Sequence, residues 1–301
     1  MQSLPRVHGE PGTAVDWQPT QASRGTRSKK LEGRTWRFCA PRAAEQPELP
    51  HNGAIDPKLQ RVLPTLPPEI VVHDADEACP YLEGRIARRP LRMPTRHLTR
   101  GELEVRLAQG DRRTGFFLYT QECPSCRACE PLRIDVHAFT PSRTQRRTLA
   151  RGRRELSIVR GPALVDARRV ELYLAHQRGR GLAKEGSPPL DARGYEAFLV
   201  DTCADGLELR YHRGETLVGV AITDRSSAGL SAVYTYYDPA LAHLSLGTYS
   251  ILEQLELCRE LGLRWLYLGL AIAENEHMRY KLAFLPHERR IDGTWKRFEP
   301  R

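Results

Sequence analysis

Residues 207–270 form the block that most constrains the fold of this chain. In chain order it holds β-rich runs at 207–213, 216–224 and 230–238, a helical pattern at 245–262 and a buried-looking strand at 264–270. Arg213-Gly214-Glu215 joins the first two runs as in a hairpin, and Gly262 marks the end of the helix. This order predicts an α/β or α+β layer of the acyltransferase type. Neither GxGxxG nor GxxxxGKS/T occurs, which argues against a dinucleotide or P-loop fold.

The rest of the chain divides by composition. Residues 1–64 are rich in Pro, Gly, Arg and Thr without a sustained period, so we expect a disordered leader there. We expect a cysteine-rich, basic domain at 65–160 and the acyltransferase-like domain at 161–301. Asp166 is placed to cap a helix. The smaller predicted segments are extended stretches at 113–120 and 132–139, helices at 166–178 and 191–203, and a strand at 277–286.

The sequence shows no recognisable signal for export or for membrane insertion. No apolar run approaches the roughly 18 residues that a membrane span needs. The N-terminus lacks the apolar stretch of about 7–15 residues found in signal peptides. We therefore expect a cytoplasmic protein, and in that reducing compartment closely spaced thiols indicate a metal site or catalysis before disulfides.

Three of the seven cysteines stand at C-x2-C-x2-C spacing. Zinc and iron–sulfur clusters both need thiolates held at short spacing, and a closed site needs a fourth ligand. We predict a metal site, zinc or iron–sulfur, whose ligands are Cys79, Cys123, Cys126 and Cys129. The structural alternative is a set of half-exposed thiols with no ligand. The isolated Cys203 and Cys258 are expected to be small core residues.

A net charge of +9 indicates an anionic partner, nucleic acid before a membrane surface. Seven arginines lie between Arg143 and Arg160, with Glu155 as the single acidic residue among them. Arginine binds phosphate bidentately, so this stretch predicts contact with a nucleic acid backbone. A solvated helix face is the alternative interpretation.

Long segments of the sequence resemble the aminoacyl-tRNA–protein transferases. "GDRRTGFFLYTQECPSCRACEPLRIDVHAFTPSRTQRR" is similar to the N-terminal signature of that family, and "SAVYTYYDP", "SLGTYSILEQLELCRELGLRWLYLGL" and "HMRYKLAFLPHERRIDGTW" are similar to its C-terminal block. The resemblance spans residues 79–295 in the expected order. The compact bacterial branch, which moves leucine from leucyl-tRNA onto proteins beginning with Asp or Glu, fits best. The arginyl-transferring branch is the close alternative.

The resemblance implies a fold related to GCN5-type N-acetyltransferases and an enzyme of the N-degron pathway of protein degradation. Its implied partners are aminoacyl-tRNA and proteins with N-terminal Asp or Glu, with no membrane partner and a monomer favoured. Iron–sulfur binding by the N-terminal cysteines of that family supports a metal site here, and zinc and an iron–sulfur cluster both stay open. The implied reaction is attack by a protein α-amine on the ester at the tRNA 3′ end. That chemistry requires no cofactor, because orientation of two reactive groups supplies most of the acceleration.

Two departures from the family pattern bear on the amino acid that is transferred. Asp111 stands where the family usually has an aromatic residue. After the strand at 264–270, "LGLAI" replaces the family's aromatic-rich "LGYWI"-like stretch. Because the second change lies beside the implied aminoacyl pocket, the sequence leaves leucine and arginine both open.

The candidate site residues form three groups. Asp238 is the candidate general base with Tyr236 as its partner, although Asp-Pro also initiates turns. The candidate cations for the acceptor's acidic side chain are Arg112 and Arg113, which match the family's paired arginines, together with Arg279 and Lys281. Contacts to tRNA are expected in the basic stretch and at the start of a helix, where a simple cap is the alternative: Arg143, Gln145, Arg146, Arg147, Ser245, Gly247 and Thr248.

Two other classes of function compete with a transferase. A non-catalytic RNA-binding protein with a metal-thiolate knuckle and a basic arm explains the first half of the chain but gives the acyltransferase-like block no use. An acetyl-CoA-dependent acetyltransferase would carry a Q/RxxGxG/A-type loop before the helix, and "LSLGTYS" resembles that loop only weakly. The sequence therefore favours an aminoacyl transferase.

Overall fold

The computed structural model describes residues 61–183 and 189–300. Nearly all of the predicted leader, residues 1–64, lies outside these ranges. The described strands are β1 (Val62–Leu63), β2 (Glu69–His73), β3 (Asp76–Ala78), β4 (Ile86–Arg88), β5 (Leu91–Pro94), β6 (Arg112–Thr114), β7 (Phe117–Tyr119), β8 (Glu130–Asp135), β9 (Ser157–Gly161), β10 (Asp205–Arg213), β11 (Thr216–Arg225), β12 (Gly229–Tyr237), β13 (Trp265–Ala271), β14 (His287–Ile291) and β15 (Thr294–Phe298). The α-helices are α1 (Arg100–Ala108), α2 (Arg143–Glu155), α3 (Ala167–Gly179), α4 (Ala192–Tyr195), α5 (Leu246–Glu260) and α6 (Glu276–Arg279).

An eight-stranded sheet forms the centre of the fold, in the order β15-β14-β8-β13-β12-β11-β10-β9. Its neighbouring strands are antiparallel except for the parallel pair β12–β13. A five-stranded antiparallel sheet, β1-β2-β5-β7-β6, comes from the segment before it. The fold is therefore mixed α/β, as predicted. The predicted domain boundary at residue 160 falls inside β9, and the larger sheet takes strands from both sides of it.

The larger sheet buries a hydrophobic core on each face, because successive side chains of a strand point to opposite sides. One core joins Leu252 and Leu255 of α5 to Ala221 of β11. The other joins Leu172 of α3 to Val220, the neighbour of Ala221. Cys258 and Cys203 are fully buried in the hydrophobic clusters, which confirms them as core residues.

Two of the sequence-predicted helices are confirmed with their caps. The Asp166 side chain accepts a hydrogen bond from the Arg169 backbone N–H at 2.8 Å, and α3 follows it. Helix α5 ends at Glu260, two positions before Gly262, which adopts a φ of 66°. Such a left-handed residue is the common helix terminator that glycine makes possible.

The predicted strand at 277–286 is wrong. Residues Glu276–Arg279 form α6, and Tyr280–Ala283 continue as a 3-10 helix. The Asn275 side chain accepts a hydrogen bond from the His277 backbone N–H at 3.0 Å and so starts the helical turn. A short apolar run does not distinguish strand from helix, and here the asparagine cap decided the outcome. The helix predicted at 191–203 is observed as α4 followed by a π-helix at Glu196–Val200.

Strands β12 and β13 pair over only three residues and then part. Gly229, Leu230 and Ser231 face Trp265, Leu266 and Tyr267, and the rest of both strands, up to Tyr237 and Ala271, is unpaired with the other. A bulge places Val233 between the residues that pair with Ile222 and Thr223, which bends β12 further. The gap between the two strands positions the site described below.

No helix in the part of the chain that the structure describes combines the length and the apolar character needed to cross a lipid bilayer.

The contact between α2 and α5 depends on Gly152. A β-carbon at this position would lie 2.3 Å from Cδ2 of Tyr249, so the helices approach too closely for any side chain. We expect Gly152→Ala to destabilise the protein by about 1–3 kcal/mol through overpacking. Gly101→Ala in α1, where the added methyl meets no atom within 4 Å, is the control. It should be neutral or stabilising by up to about 1 kcal/mol. Urea unfolding measures both variants, and equal stabilities would contradict the close approach.

Candidate functional site

A cavity of about 990 Å³ occupies the gap between β12 and β13. Both strands line it beyond their last pair, with Tyr234 and Tyr237 from β12 and Leu268 and Leu270 from β13. Side chains from β6, from the end of α3 and from the 280–281 turn complete the wall. The cavity is large enough for the parts of two substrates that would react with one another.

Helix α5 begins at the cavity wall. Ser245 precedes the helix in a left-handed conformation, with φ 52° and ψ 48°, and its side chain makes no capping hydrogen bond. The first N–H groups of a helix have no partner within it, and Gly247 and Thr248 line the cavity here. A β-carbon on Gly247 would lie 3.9 Å from both the Tyr237 and Tyr280 hydroxyl oxygens. The helix start thus joins free N–H groups to two hydroxyls, an arrangement suited to an anion.

Arg112 bridges the gap from β6. Its guanidinium donates to the Ser231 hydroxyl at 3.1 Å and to the Ala232 carbonyl oxygen at 2.7 Å. Gly269, at φ 78°, makes room for it, since a β-carbon there would lie 2.8 Å from the Arg112 Nη2 atom. Burial lowers the pKa of Arg112, and the side chain forms no ion pair with any carboxylate of the described residues.

Lys281 lies on the same wall, in the 3-10 helix after α6. Its Nζ atom donates to the carbonyl oxygens of Leu268 and Leu270, each at 3.0 Å. Burial and, to a smaller degree, the charge of Arg112 lower the pKa of Lys281 to about 7. Within residues 61–183 and 189–300 it also has no carboxylate partner. When Lys281 is protonated, it and Arg112 therefore repel each other in the same cavity.

The other two predicted substrate-binding cations, Arg113 and Arg279, are not placed to bind a ligand in the cavity as Arg112 and Lys281 are. Arg113 also lines the cavity and, like Arg112, is 7% exposed, but it binds both carboxylate oxygens of Asp224, at 2.6 and 3.0 Å. Because β6 is a strand, Arg113 and Arg112 point to opposite sides. Arg279 is exposed on α6 and does not line the cavity.

The two predicted catalytic residues lie away from the cavity wall. The Asp238 side chain accepts from the Ala240 N–H at 2.9 Å and caps the 3-10 helix Pro239–Leu244, as the turn alternative predicts. Tyr236 is fully buried in the core on the α3 side, where its hydroxyl is hydrogen-bonded to that of Tyr195. The geometry favours structural roles for both.

The predicted tRNA-binding stretch is helix α2. Arg143, Arg146 and Arg147 are exposed on it, whereas Gln145 is buried. The Gln145 side chain completes a capping box with Ser142 and donates to the Ala283 carbonyl oxygen at 3.3 Å. Gln145 therefore anchors the helix. The three arginines are exposed, and Arg146 donates to the Pro141 carbonyl oxygen at 2.6 Å.

The four predicted metal ligands line one smaller cavity of about 210 Å³. The Ala128 backbone N–H and, to a smaller degree, Arg85, which donates to the Cys126 sulfur at 3.2 Å, lower the pKa of Cys126. Burial and the neighbouring thiols raise the pKa of Cys129 to about 12. Among the described residues no three Cys, His, Asp or Glu side chains are arranged to hold one metal ion. The four thiols line one cavity, and the metal site stays a prediction.

Asp111, which departs from the family pattern, is an internal ion-pair partner. It is 5% exposed and accepts from Arg92 at 2.6 Å, and Arg92 also binds the buried Glu69. Burial raises the pKa of Asp111. Asp111 directly precedes β6 of the smaller sheet and does not line the cavity.

Comparison with known proteins now identifies the family. The family model described as "Arginine-tRNA-protein transferase, C terminus" matches residues 168–291. The model described as "Arginine-tRNA-protein transferase, N terminus" matches residues 77–147. The "Aspartate/glutamate leucyltransferase" of Thiobacillus denitrificans is 37% identical over 225 residues, covering 73% of this chain and 91% of the relative. The protein of the same description from Aeromonas hydrophila is 38% identical over 224 residues, covering 73% and 92%. This chain belongs to the aminoacyl-tRNA–protein transferase family.

The chain is thus a transferase, and the resemblance seen in its sequence is confirmed. Similarity to solved structures is much weaker. L-PGS from Bacillus licheniformis is 15% identical, with a TM-score of 0.36, and the match covers 51% of this chain and 50% of that one. That likeness is too low to bear on the fold or the activity.

The cavity of this transferase also contains residues that sequence reasoning missed. Tyr237 and Tyr280 flank the start of α5. The Nδ1 atom of His176 lies 3.1 Å from the Tyr237 carbonyl oxygen and 3.3 Å from the Tyr237 backbone nitrogen, and the tautomer of the ring determines which of the two it bonds. Burial lowers the pKa of His176 to about 4, so the ring is neutral at pH 7. No motif marks these residues, because only the parting of the strands brings them to one wall.

The pair formed by Arg113 and Asp224 gives a test of the structural role of Arg113. Removing one partner of a buried ion pair leaves an uncompensated charge, so Arg113→Met should destabilise the transferase by about 3–5 kcal/mol in urea unfolding. The double variant Arg113→Met/Asp224→Leu should recover most of that loss. If Arg113→Met instead kept full stability and raised KM for the acceptor, Arg113 would be a substrate-binding residue.

Proposed function

We propose that this chain transfers leucine from leucyl-tRNA to proteins that begin with Asp or Glu. The observation that carries the acceptor specificity is the buried Arg112, which lines the cavity and has no carboxylate partner among residues 61–183 and 189–300. A buried arginine of this kind is complementary to the side-chain carboxylate of an acidic N-terminal residue. The relatives described as aspartate/glutamate leucyltransferases support both the donor and the acceptor. Arginine remains the alternative donor, because the matching family descriptions name arginine-tRNA.

The proposed fold type is that of the GCN5-related acyltransferases, with the cysteines on a subdomain of their own. Its support is the parallel pair β12–β13 that parts after three residues, the bulge at Val233 and the helix that begins at the gap. Such a gap lets an acyl donor enter from one face and an acceptor from the other. A metal bound by the cysteine cluster would serve to stabilise that subdomain, since aminolysis of an ester needs no metal.

The donor is proposed to approach along α5. The free N–H groups at Gly247 and Thr248 suit a phosphate near the 3′ end of the tRNA, because the helix dipole favours negative charge there. Arg143, Arg146 and Arg147 on the exposed side of α2 supply further phosphate contacts, and α2 packs directly on α5. One continuous surface would thus bind the RNA and bring its aminoacyl end to the cavity.

The chemistry then depends on orientation. The acceptor α-amine has an ordinary pKa near 8, so about a tenth is neutral at pH 7. The ester of an aminoacyl-tRNA is already an activated acyl donor. Holding the amine and the ester carbonyl in line therefore supplies most of the acceleration, and no nucleophilic side chain is required.

The reaction can be tested with separately charged leucyl- and arginyl-tRNA and peptides that begin with Asp, Asn or Ala. We expect label to move from leucyl-tRNA to the Asp peptide, poorly to the Asn peptide and not to the Ala peptide. Arg112→Met should raise KM for the Asp peptide about 10–100-fold by removing a charged hydrogen bond. The same substitution should change KM for the Asn peptide much less, and this difference separates a loss of carboxylate recognition from damage to the packing of the cavity. No transfer to any acidic peptide would leave RNA binding as the function.

The arginines of α2 can be tested through the salt dependence of tRNA binding. Arg146→Gln/Arg147→Gln should reduce the magnitude of the slope of log K for tRNA binding against log salt concentration by about 1.4–1.8. Each phosphate contact contributes about 0.7 on a single strand and about 0.9 on a duplex. Arg153→Gln/Arg160→Gln is the matched control, since these arginines of the same stretch pair with Glu253 and Glu260. Equal slopes for the two double variants would place the RNA elsewhere.

A further inference from the structure

Lys281 occupies a position in the cavity that acceptor recognition alone does not explain. Its two hydrogen-bond acceptors, the carbonyl oxygens of Leu268 and Leu270, lie on the stretch of β13 that has parted from β12. Both bonds are 3.0 Å long, so the end of the side chain is fixed. A lysine that only paired with a substrate carboxylate would not need two backbone anchors.

The two anchors account for all the hydrogens of a neutral amine. An ammonium group carries three N–H donors, whereas a neutral amine has two N–H donors and one lone pair. With two N–H groups directed to Leu268 and Leu270, the remaining position on Nζ is either a third N–H or the lone pair. Since Lys281 lines the cavity, that position is available to a substrate.

The surroundings of Lys281 favour exchange of a proton at neutral pH. The charged group that faces it is Arg112, and no carboxylate of the described residues pairs with either. Glu276, His277 and Tyr280 of the adjoining turn line the same cavity. Burial and Arg112 bring the pKa of Lys281 to about 7, the range in which a general base works best.

We propose that Lys281 is the catalytic proton acceptor for the attacking α-amine of the acceptor polypeptide. This proposal rests on the proposed function and names a residue for its chemical step. The amine nitrogen attacks the ester carbonyl carbon, and the new N–C bond forms as the C–O bond to the ribose breaks. The proton lost by the amine nitrogen goes to the lone pair of Lys281 Nζ. The departing ribose oxygen then takes a proton from the Lys281 ammonium, which returns the lysine to its starting form.

Arg112 and Lys281 divide the work under this proposal. Arg112 stays charged at every working pH and binds the acceptor's carboxylate. Lys281 alternates between base and acid beside the reacting nitrogen. The two roles predict different kinetic signatures, since loss of a binding contact raises KM whereas loss of a transition-state contact lowers kcat.

Lys281→Arg is the decisive variant. A guanidinium can still donate to the two carbonyls and still carries a positive charge, but it does not release its proton in the working pH range. We expect kcat for transfer to an Asp peptide to fall about 100-fold, the lower end of what a general base contributes. KM for that peptide should stay within about threefold. Lys296→Met is the matched control: it removes the other lysine of the described residues, exposed on β15, and should leave both constants unchanged.

The pH profile separates a catalytic role from a structural one. Below pH 7 both the acceptor amine and Lys281 must lose a proton, so log(kcat/KM) of the unaltered enzyme should rise with a slope of about two. In Lys281→Arg only the acceptor amine titrates, and the slope should be about one. A variant that lost kcat but kept the slope of two would mark Lys281 as a strand anchor only. A raised KM with unchanged kcat would show that Lys281 is a second residue that binds the acceptor carboxylate.

A direct titration keeps the proposal testable if the variant does not fold. Trace acetylation of the unaltered protein with acetic anhydride across pH 5–10 reports the protonation of each lysine amine, with Lys296 as the internal reference. Lys281 should react as an amine that titrates near neutral pH, and labelling that began only near pH 10 would overturn the proposal. Absence of any leucyl transfer by the unaltered protein would contradict the proposed function itself. Full activity of Lys281→Arg at every pH would contradict the role of Lys281 alone.

Discussion

The site depends on backbone hydrogen bonds that β12 and β13 do not make. Two adjacent parallel strands would ordinarily pair along their length, because unpaired buried N–H and C=O groups are costly. Here pairing stops after Ser231 and Tyr267, and side chains from other elements satisfy groups left behind in the gap. Arg112 donates to the carbonyl of Ala232, and Lys281 donates to those of Leu268 and Leu270. The two side chains that bond to the parted strands thus also line the cavity.

This arrangement also explains why two uncompensated cations are tolerated in one cavity. Each gains hydrogen bonds from the backbone, which offset part of the cost of burial. Neither has a carboxylate partner within the described residues, although nearby Arg113 pairs with Asp224. The adjacent residues of β6 therefore differ: Arg113 forms an ion pair in the core, whereas Arg112 lines the cavity without one. The proposed binding of an anionic acceptor side chain rests on that difference.

The sequence predicted the elements better than the side-chain roles. The meander of β10, β11 and β12, the helix α5 and the strand β13 were all predicted, because their periodicity and turn residues are local signals. The turn at 276–283 was misread as a strand, since its asparagine cap is a weaker signal than its apolar run. Asp238 and Tyr236 were chosen from their position at a strand end, and the structure directs one to a turn and the other to the core. Which of four cations stayed free could not be predicted, because the answer lies in partners more than a hundred positions away, such as Asp224 for Arg113.

Folding and recognition are linked through the same side chains, and this sets how the cavity responds to its substrates. An acceptor carboxylate beside Arg112 would offset the charge of Arg112, whereas burial, the larger cause of the lowered pKa of Lys281, would remain. The pKa of Lys281 would rise only in part, which limits the loss of the neutral amine at pH 7. The two side chains have separate backbone anchors, since Arg112 donates to the Ala232 carbonyl oxygen and Lys281 donates to those of Leu268 and Leu270. These separate anchors allow one side chain to hold the acceptor carboxylate while the other stays free of it and keeps its lone pair for the attacking amine.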